Sequence, residues 1–195
     1  MSAPADTLLM LSGGIDSAFC LWQRVQAGLP TRTHHVHFQN SDNRADAEAA
    51  AVADILEWLA RNGGHGLITH TASRLDHGDL ALHGLWDGFM LAFWAGAILH
   101  ADPFIASVIV GVQADDAGPR DDVRDQLFWR IAANVGRRQF WLSHPARSLT
   151  KRDIIAAMPP ELVDLCWSCR RPQDGHPCHS CHTCRLVDAA RGVRP

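Results

Sequence analysis

Apolar positions along this chain of 195 residues recur with two periods, and the switching between them lays out its elements. Short apolar runs of strand length fall at 7–11, 34–38, 66–70, 106–111 and 139–142. Helical periodicity between them predicts helices over 17–27, 45–62, 86–100, 122–136 and 150–157. The longest of these puts Ala49, Val52, Ile55, Leu56 and Leu59 on one face and runs into Asn62-Gly63-Gly64, a helix stop. Strands alternating with helices predict an α/β fold, a doubly wound and mostly parallel sheet with right-handed crossovers and covered faces. In such sheets ligands bind beyond the carboxyl ends of the strands, where Ser12, Gln39 and Gly111 are expected to gather. Apolar residues make up 47% of the chain, enough for one substantial core, so residues 1–195 are expected to form a single domain.

The first strand leads into Ser12-Gly13-Gly14-Ile15-Asp16-Ser17. Two glycines let backbone N–H groups converge on one anion, and the helix that follows adds its positive end. Ser12 and Ser17 add hydroxyl donors. No Gly-Lys-Ser/Thr is present, which excludes the Walker-type loop. Read locally, the segment is a strand-to-helix turn; read chemically, it is a phosphate cradle.

Five of the six cysteines lie between 166 and 184. Cys178, Cys181 and Cys184 form an unbroken Cys-x2-Cys-x2-Cys run, and pairs spaced this way suit tetrahedral Zn²⁺. For a fourth ligand, spacing alone leaves Cys166 and Cys169 open. His176, His179 and His182 are expected to lie exposed on the loop. A disulfide framework is the rival, but Met1–Leu11 lacks the charged start and long apolar core of an export signal. No run of about eighteen apolar residues offers a membrane span. A cytoplasmic protein with one structural zinc per chain is the expectation, the metal supplying on the order of 10 kcal/mol to folding.

The hexapeptide resembles the pyrophosphate-binding loop of the adenine-nucleotide alpha-hydrolase (PP-loop) superfamily. Together with Trp167-Ser168-Cys169 and the later cysteine run, it resembles the 7-cyano-7-deazaguanine synthase family of the queuosine pathway. Leu149-Thr150-Lys151-Arg152-Asp153-Ile154 resembles that family's Thr-Lys helix start. Gly111-Val112-Gln113 with Asp116, Asp122 and Arg124 resembles its Gly-x-Asn stretch, and Phe38-Gln39 with Arg44 and Glu48 its segment after the second strand. The resemblance implies zinc on Cys169, Cys178, Cys181 and Cys184, and ATP with Mg²⁺ on Ser12, Gly13, Gly14, Ile15, Asp16 and Ser17. It implies catalytic roles for Lys151 and Asp116, with Asp116 as a candidate Mg²⁺ ligand. Residues 1–150 are then the nucleotide-binding core and 151–195 a small zinc-bearing lobe. The implied reaction is ATP-dependent conversion of 7-carboxy-7-deazaguanine and ammonia to the nitrile, with release of AMP and pyrophosphate. The chain departs from the pattern at Trp86-Asp87, Gln113 and Arg120, positions near the family's substrate. The rival readings are an RNA thiolase or amidating ligase of the same superfamily, with Cys166 as the spare thiol, and a nucleotide-binding zinc module without turnover.

Charge refines this picture. Residues 1–136 carry a net charge of −8 and residues 137–195 a net of +5. A basic half beside the phosphate loop suits a polyanionic nucleotide, and small molecules rather than nucleic acid or membrane are the expected partners. Lys151 is the one lysine among 18 basic residues, a compact ammonium where the resemblance places a phosphate ligand. Trp86, Phe89, Phe93 and Trp94 share a helix face expected to pack in the core or in a homodimer contact. His34, His35 and His37 on the second strand are expected to bind no metal, and Cys20 to be a buried apolar filler.

Overall fold

The computed structural model describes residues 6–40, 42–78, 87–116 and 121–193. Its centre is β1 (Thr7–Met10), every residue of which is buried. Leu8 and Met10 point into one apolar cluster and Leu9 and Leu11 into the other, as strand alternation requires of a segment covered on both faces. Around it stand β2 (Thr31–Gln39), β3 (Ile68–Asp76), β4 (Ser107–Val110) and β5 (Trp141–Ser143), in the order β3-β2-β1-β4-β5. All four pairings are parallel. The chain reverses its winding between β1 and β4, the switch point at which such sheets open a crevice.

Helix α1 (Ile15–Gln26) and α2 (Ala45–Leu59) cover one face, and α3 (Gly88–Ala101) and α4 (Asp121–Gly136) the other. Beyond β5 come α5 (Lys151–Ala157), α6 (Pro160–Asp164) and α7 (His182–Ala190). Ile154, Met158, Leu162 and Val163 enter the same cluster as Leu9, Phe19 and Ile55, so the C-terminal helices share the core of the α1–α2 face. The α3–α4 crossing is close. A Cβ on Gly96 would lie 2.7 Å from the Ala132 carbonyl oxygen. No helix among the described residues is long and apolar enough to cross a membrane.

Several boundaries differ from those the pattern predicts. The third strand extends to Asp76, whereas only 66–70 is apolar, because β3 is an exposed edge strand held by its nine-residue register with β2. Helix α2 ends its regular turns at Leu59 and unwinds through Ala60–Gly64, where Gly63 takes φ 98°. Helices α6 and α7 fall outside the predicted set: one is a five-residue turn and the other starts inside the cysteine run, capped by Cys181. The aromatic face on α3 divides. Trp94 packs against the core, while Phe89 and Phe93 are 37% and 48% exposed; Trp86 lies outside the described residues.

The strand histidines serve the sheet. His34 Nδ1 lies 2.8 Å from Thr71 Oγ1, and His35 Nδ1 donates to the Leu11 carbonyl at 3.0 Å. Burial, reinforced by neighbouring His70 and His35, pushes His34 down to about 4. It is therefore neutral in the folded protein at neutral pH, whereas an unfolded histidine protonates near pH 6.5. The unfolded chain binds the extra proton between those values, so stability falls as pH drops from about 6.5 towards 4. Denaturant midpoints at pH 7.5, 6 and 5 should fall more steeply for the wild type than for His34→Asn, which keeps a partner for Thr71 without the titration.

Candidate active site

At the carboxyl end of β1 the chain turns through the hexapeptide and opens α1. Gly13 takes φ 79° against α2, and a Cβ there would lie 2.6 Å from the Glu48 carbonyl oxygen. Ser17 Oγ donates to the Gly14 carbonyl at 3.0 Å, Ser12 Oγ lies 3.0 Å from Ser17 Oγ, and Gly14 N donates to Ser12 Oγ at 3.3 Å. These bonds fix the loop from within. Gly14 is the cap position of α1, and no side chain caps it. Gly111, at the end of β4, must be glycine for a packing reason, since a Cβ would lie 2.6 Å from Ser17 N.

Ser12, Gly14, Ile15, Asp16 and Ser17 line a cleft of about 900 Å³, whose walls also include Arg44, Gly111, Arg124, Lys151 and Trp167. Lys151 is brought there by α5, which begins with a reciprocal cap: Thr150 Oγ1 accepts from Asp153 N at 3.2 Å, and Asp153 Oδ2 accepts from Thr150 N at 2.9 Å. The Lys151 residue is 2% exposed, and its Nζ donates to Asp16 Oδ1 of the loop. That pair places the Lys151 side chain beside the Ser12–Ser17 loop.

The opposite wall is organised by Arg44, 7% exposed, at the start of α2. Its Nη1 lies 2.5 Å from Glu48 Oε1, and its Nη2 donates to Asp87 Oδ2 at the start of α3. Burial pulls the guanidinium down, but Glu48 and Asp87 outweigh it and hold it charged. One side chain thereby ties helices from the two faces of the sheet. Below, His144 Nδ1 donates to the Val110 carbonyl at 2.9 Å, and Asp125 lies 2.7 Å from Arg147 Nη2.

The cysteine arm closes over the loop. Trp167 N donates to the Gly13 carbonyl at 2.9 Å. Beyond it, one ligand atom each from Cys169, Cys178, Cys181 and Cys184 lies within 4.8 Å of all the others, an arrangement that could hold a metal ion. Backbone N–H groups of Cys178 and Cys181 donate to the sulfurs of Cys169 and Cys178, both at 3.3 Å. Cys166 stands apart. Its thiol donates to the Leu162 carbonyl at 3.2 Å, and burial, with the nearby Asp16 charge, pushes it up to about 12. It is a thiol rather than a nucleophilic thiolate at neutral pH.

Comparison with known proteins agrees with this arrangement. The family model described as queuosine biosynthesis protein QueC matches residues 90–191, just over half of the chain and including all four clustered cysteines. The chain belongs to the QueC family. No curated protein matches it. Among solved structures it is similar to the NMN synthetase from Francisella tularensis, at 18% identity and a TM-score of 0.54, covering 98% of this chain and 79% of that one. At that identity the likeness speaks for the fold alone. This QueC-family member is accordingly a 7-cyano-7-deazaguanine synthase relative, an ATP-using enzyme of the queuosine pathway.

Of the residues singled out from sequence, the fold assembles the Ser12–Ser17 loop and Lys151 in one cleft and the four cysteines in one cluster beside it. Gln39 is not in the cleft; it is exposed and accepts from Arg74 on β3. Asp116 closes the turn Ala114–Asp116, and its side chain, like Arg120, lies outside the described residues. The charged bridge from Arg44 to Asp87 was not signalled by sequence, since 43 residues separate its ends. With metal content measured by mass spectrometry, Cys169→Ser should lose its stoichiometric ion and melt at lower temperature. Cys166→Ser should keep the ion.

Proposed function

We propose that this protein is an AMP-forming ligase that turns 7-carboxy-7-deazaguanine and ammonia into 7-cyano-7-deazaguanine. The observation that carries the reading is the Lys151 ammonium, buried on Asp16 inside the Ser12–Ser17 loop and roofed by the cysteine arm at Gly13. A cation beside the start of a helix matches the charge that develops on departing pyrophosphate.

The substrate carboxylate attacks the α-phosphorus of ATP, forming an acyl adenylate and releasing pyrophosphate. Ammonia displaces AMP and gives the amide, with loss of one proton. The amide oxygen attacks a second ATP, again releasing pyrophosphate, and expulsion of AMP with loss of the two amide protons leaves the nitrile. Lys151 and the N–H groups of the loop bind the phosphates of Mg·ATP throughout. The chain need supply no covalent nucleophile, and the protonated Cys166 thiol disfavours the thiolase alternative. Cys169, Cys178, Cys181 and Cys184 make a four-thiolate set with no open position, which suits a structural zinc. The zinc would hold the arm that carries Trp167 to the loop.

With Mg·ATP, 7-carboxy-7-deazaguanine and ammonium, the enzyme should release two AMP and two pyrophosphate per nitrile, followed by chromatography with mass detection. Lys151→Met should lower kcat by roughly 100-fold or more, in line with removal of one charge-stabilising donor. Nucleotide binding without AMP from this substrate would overturn the assignment.

A further inference from the structure

Lys151 is gripped at two places, and only one of them belongs to the phosphate loop. Its ammonium rests on Asp16, while its backbone N–H donates to Asp115 Oδ2 at 2.7 Å. Asp115 belongs to the turn Ala114–Asp116 that follows β4. That turn is itself seated. Gln113 is fully buried, and its Oε1 accepts from Asp115 N at 2.9 Å. Ala114 N donates to the Leu149 carbonyl at 2.8 Å, two residues before Lys151.

We propose that Asp115, seated by the buried amide of Gln113, is the positioning residue for Lys151. The inference rests on Lys151 being a phosphate ligand, as read above. The physical argument is one of reach. A lysine side chain carries several rotatable bonds, and a phosphate contact made through it is only as accurate as the placement of its Cα. Helix α5 has just seven residues and cannot fix its own first turn by length. Its reciprocal cap satisfies Asp153 N and Thr150 N but leaves the amide of Lys151 to find a partner elsewhere. Asp115 supplies that partner and joins the start of α5 to the end of β4, whose Gly111 abuts Ser17. The lysine is thus referenced to the same strand end as the loop it serves. A carboxylate also suits the first-turn amide of a helix electrostatically.

A purely structural cap makes a different prediction. Removing it would cost melting temperature, and its effect on ligand would multiply with that of any change at Lys151. A positioning residue acts through the lysine, so its effect vanishes once the lysine is gone. The test is a double-mutant cycle on Asp115→Ala and Lys151→Met, with Asp115→Asn as the conservative variant. Two readouts are taken: affinity for inorganic pyrophosphate with Mg²⁺ by calorimetry, and kcat and KM for AMP release from 7-carboxy-7-deazaguanine. Asp115→Ala should weaken pyrophosphate binding and lower kcat by roughly tenfold, within what a small misplacement costs. KM for the carboxylate should not change. Asp115→Asn, which keeps an oxygen for the Lys151 amide, should recover most of the loss. The double variant should match Lys151→Met alone. Independent, multiplying effects, or wild-type pyrophosphate affinity in Asp115→Ala, would overturn the proposal. If the wild type releases no AMP while the pyrophosphate cycle remains non-additive, the substrate reading fails and the role of Asp115 stands.

Discussion

The contact on which the site depends is the ion pair between Lys151 and Asp16. It joins the first helix of the chain to the fifth, across 135 residues, and does so in a place nearly closed to water. Burying an ammonium is expensive unless a carboxylate and good geometry offset the lost hydration. The fold meets that condition by bringing β1 and β4 side by side, so that the loop after one strand and Gly111-Val112 after the other flank the same crevice. The parallel sheet, the glycine at 111 and the short α5 all become intelligible as means of placing one cation beside one loop.

The second constraint is the cysteine arm. Without it, the hydrogen bond from Trp167 to Gly13 would rest on a segment that has little regular structure between α6 and α7. Four sulfurs within 4.8 Å of one another could hold a metal ion, which would anchor an arm that offers few apolar residues to bury. Arg44 does comparable work on the opposite wall, binding Glu48 and Asp87 and so linking α2 to α3. Both devices hold polar backbone open around a cleft where ordinary core packing would close it.

What could be read from sequence follows from how local each signal is. The Ser12–Ser17 loop is contiguous and legible as a strand-to-helix turn, whereas the steric reason for Gly13, the Glu48 carbonyl, lies on α2. The cysteine run is equally local. The central strands are apolar on both faces and identify themselves, whereas β3 is polar at the sheet edge and its second half is defined by pairing with β2 alone. The site contacts that escaped sequence reading join distant segments. The bond from Asp115 to Lys151 spans 36 residues, and the adjacent Asp116 is the one that resemblance selects. Gln113 could be noticed as a departure, but only the fold gives it a task, at 2.9 Å from the amide of Asp115.

The central claim is that a substrate carboxylate, held near this loop, attacks the α-phosphorus of ATP and leaves as nitrile after two such activations. Its most direct test follows oxygen rather than product. With 7-carboxy-7-deazaguanine labelled by ¹⁸O in both carboxylate oxygens, each AMP released should carry one ¹⁸O and the pyrophosphate none. Unlabelled AMP, or label appearing in pyrophosphate, would contradict the account.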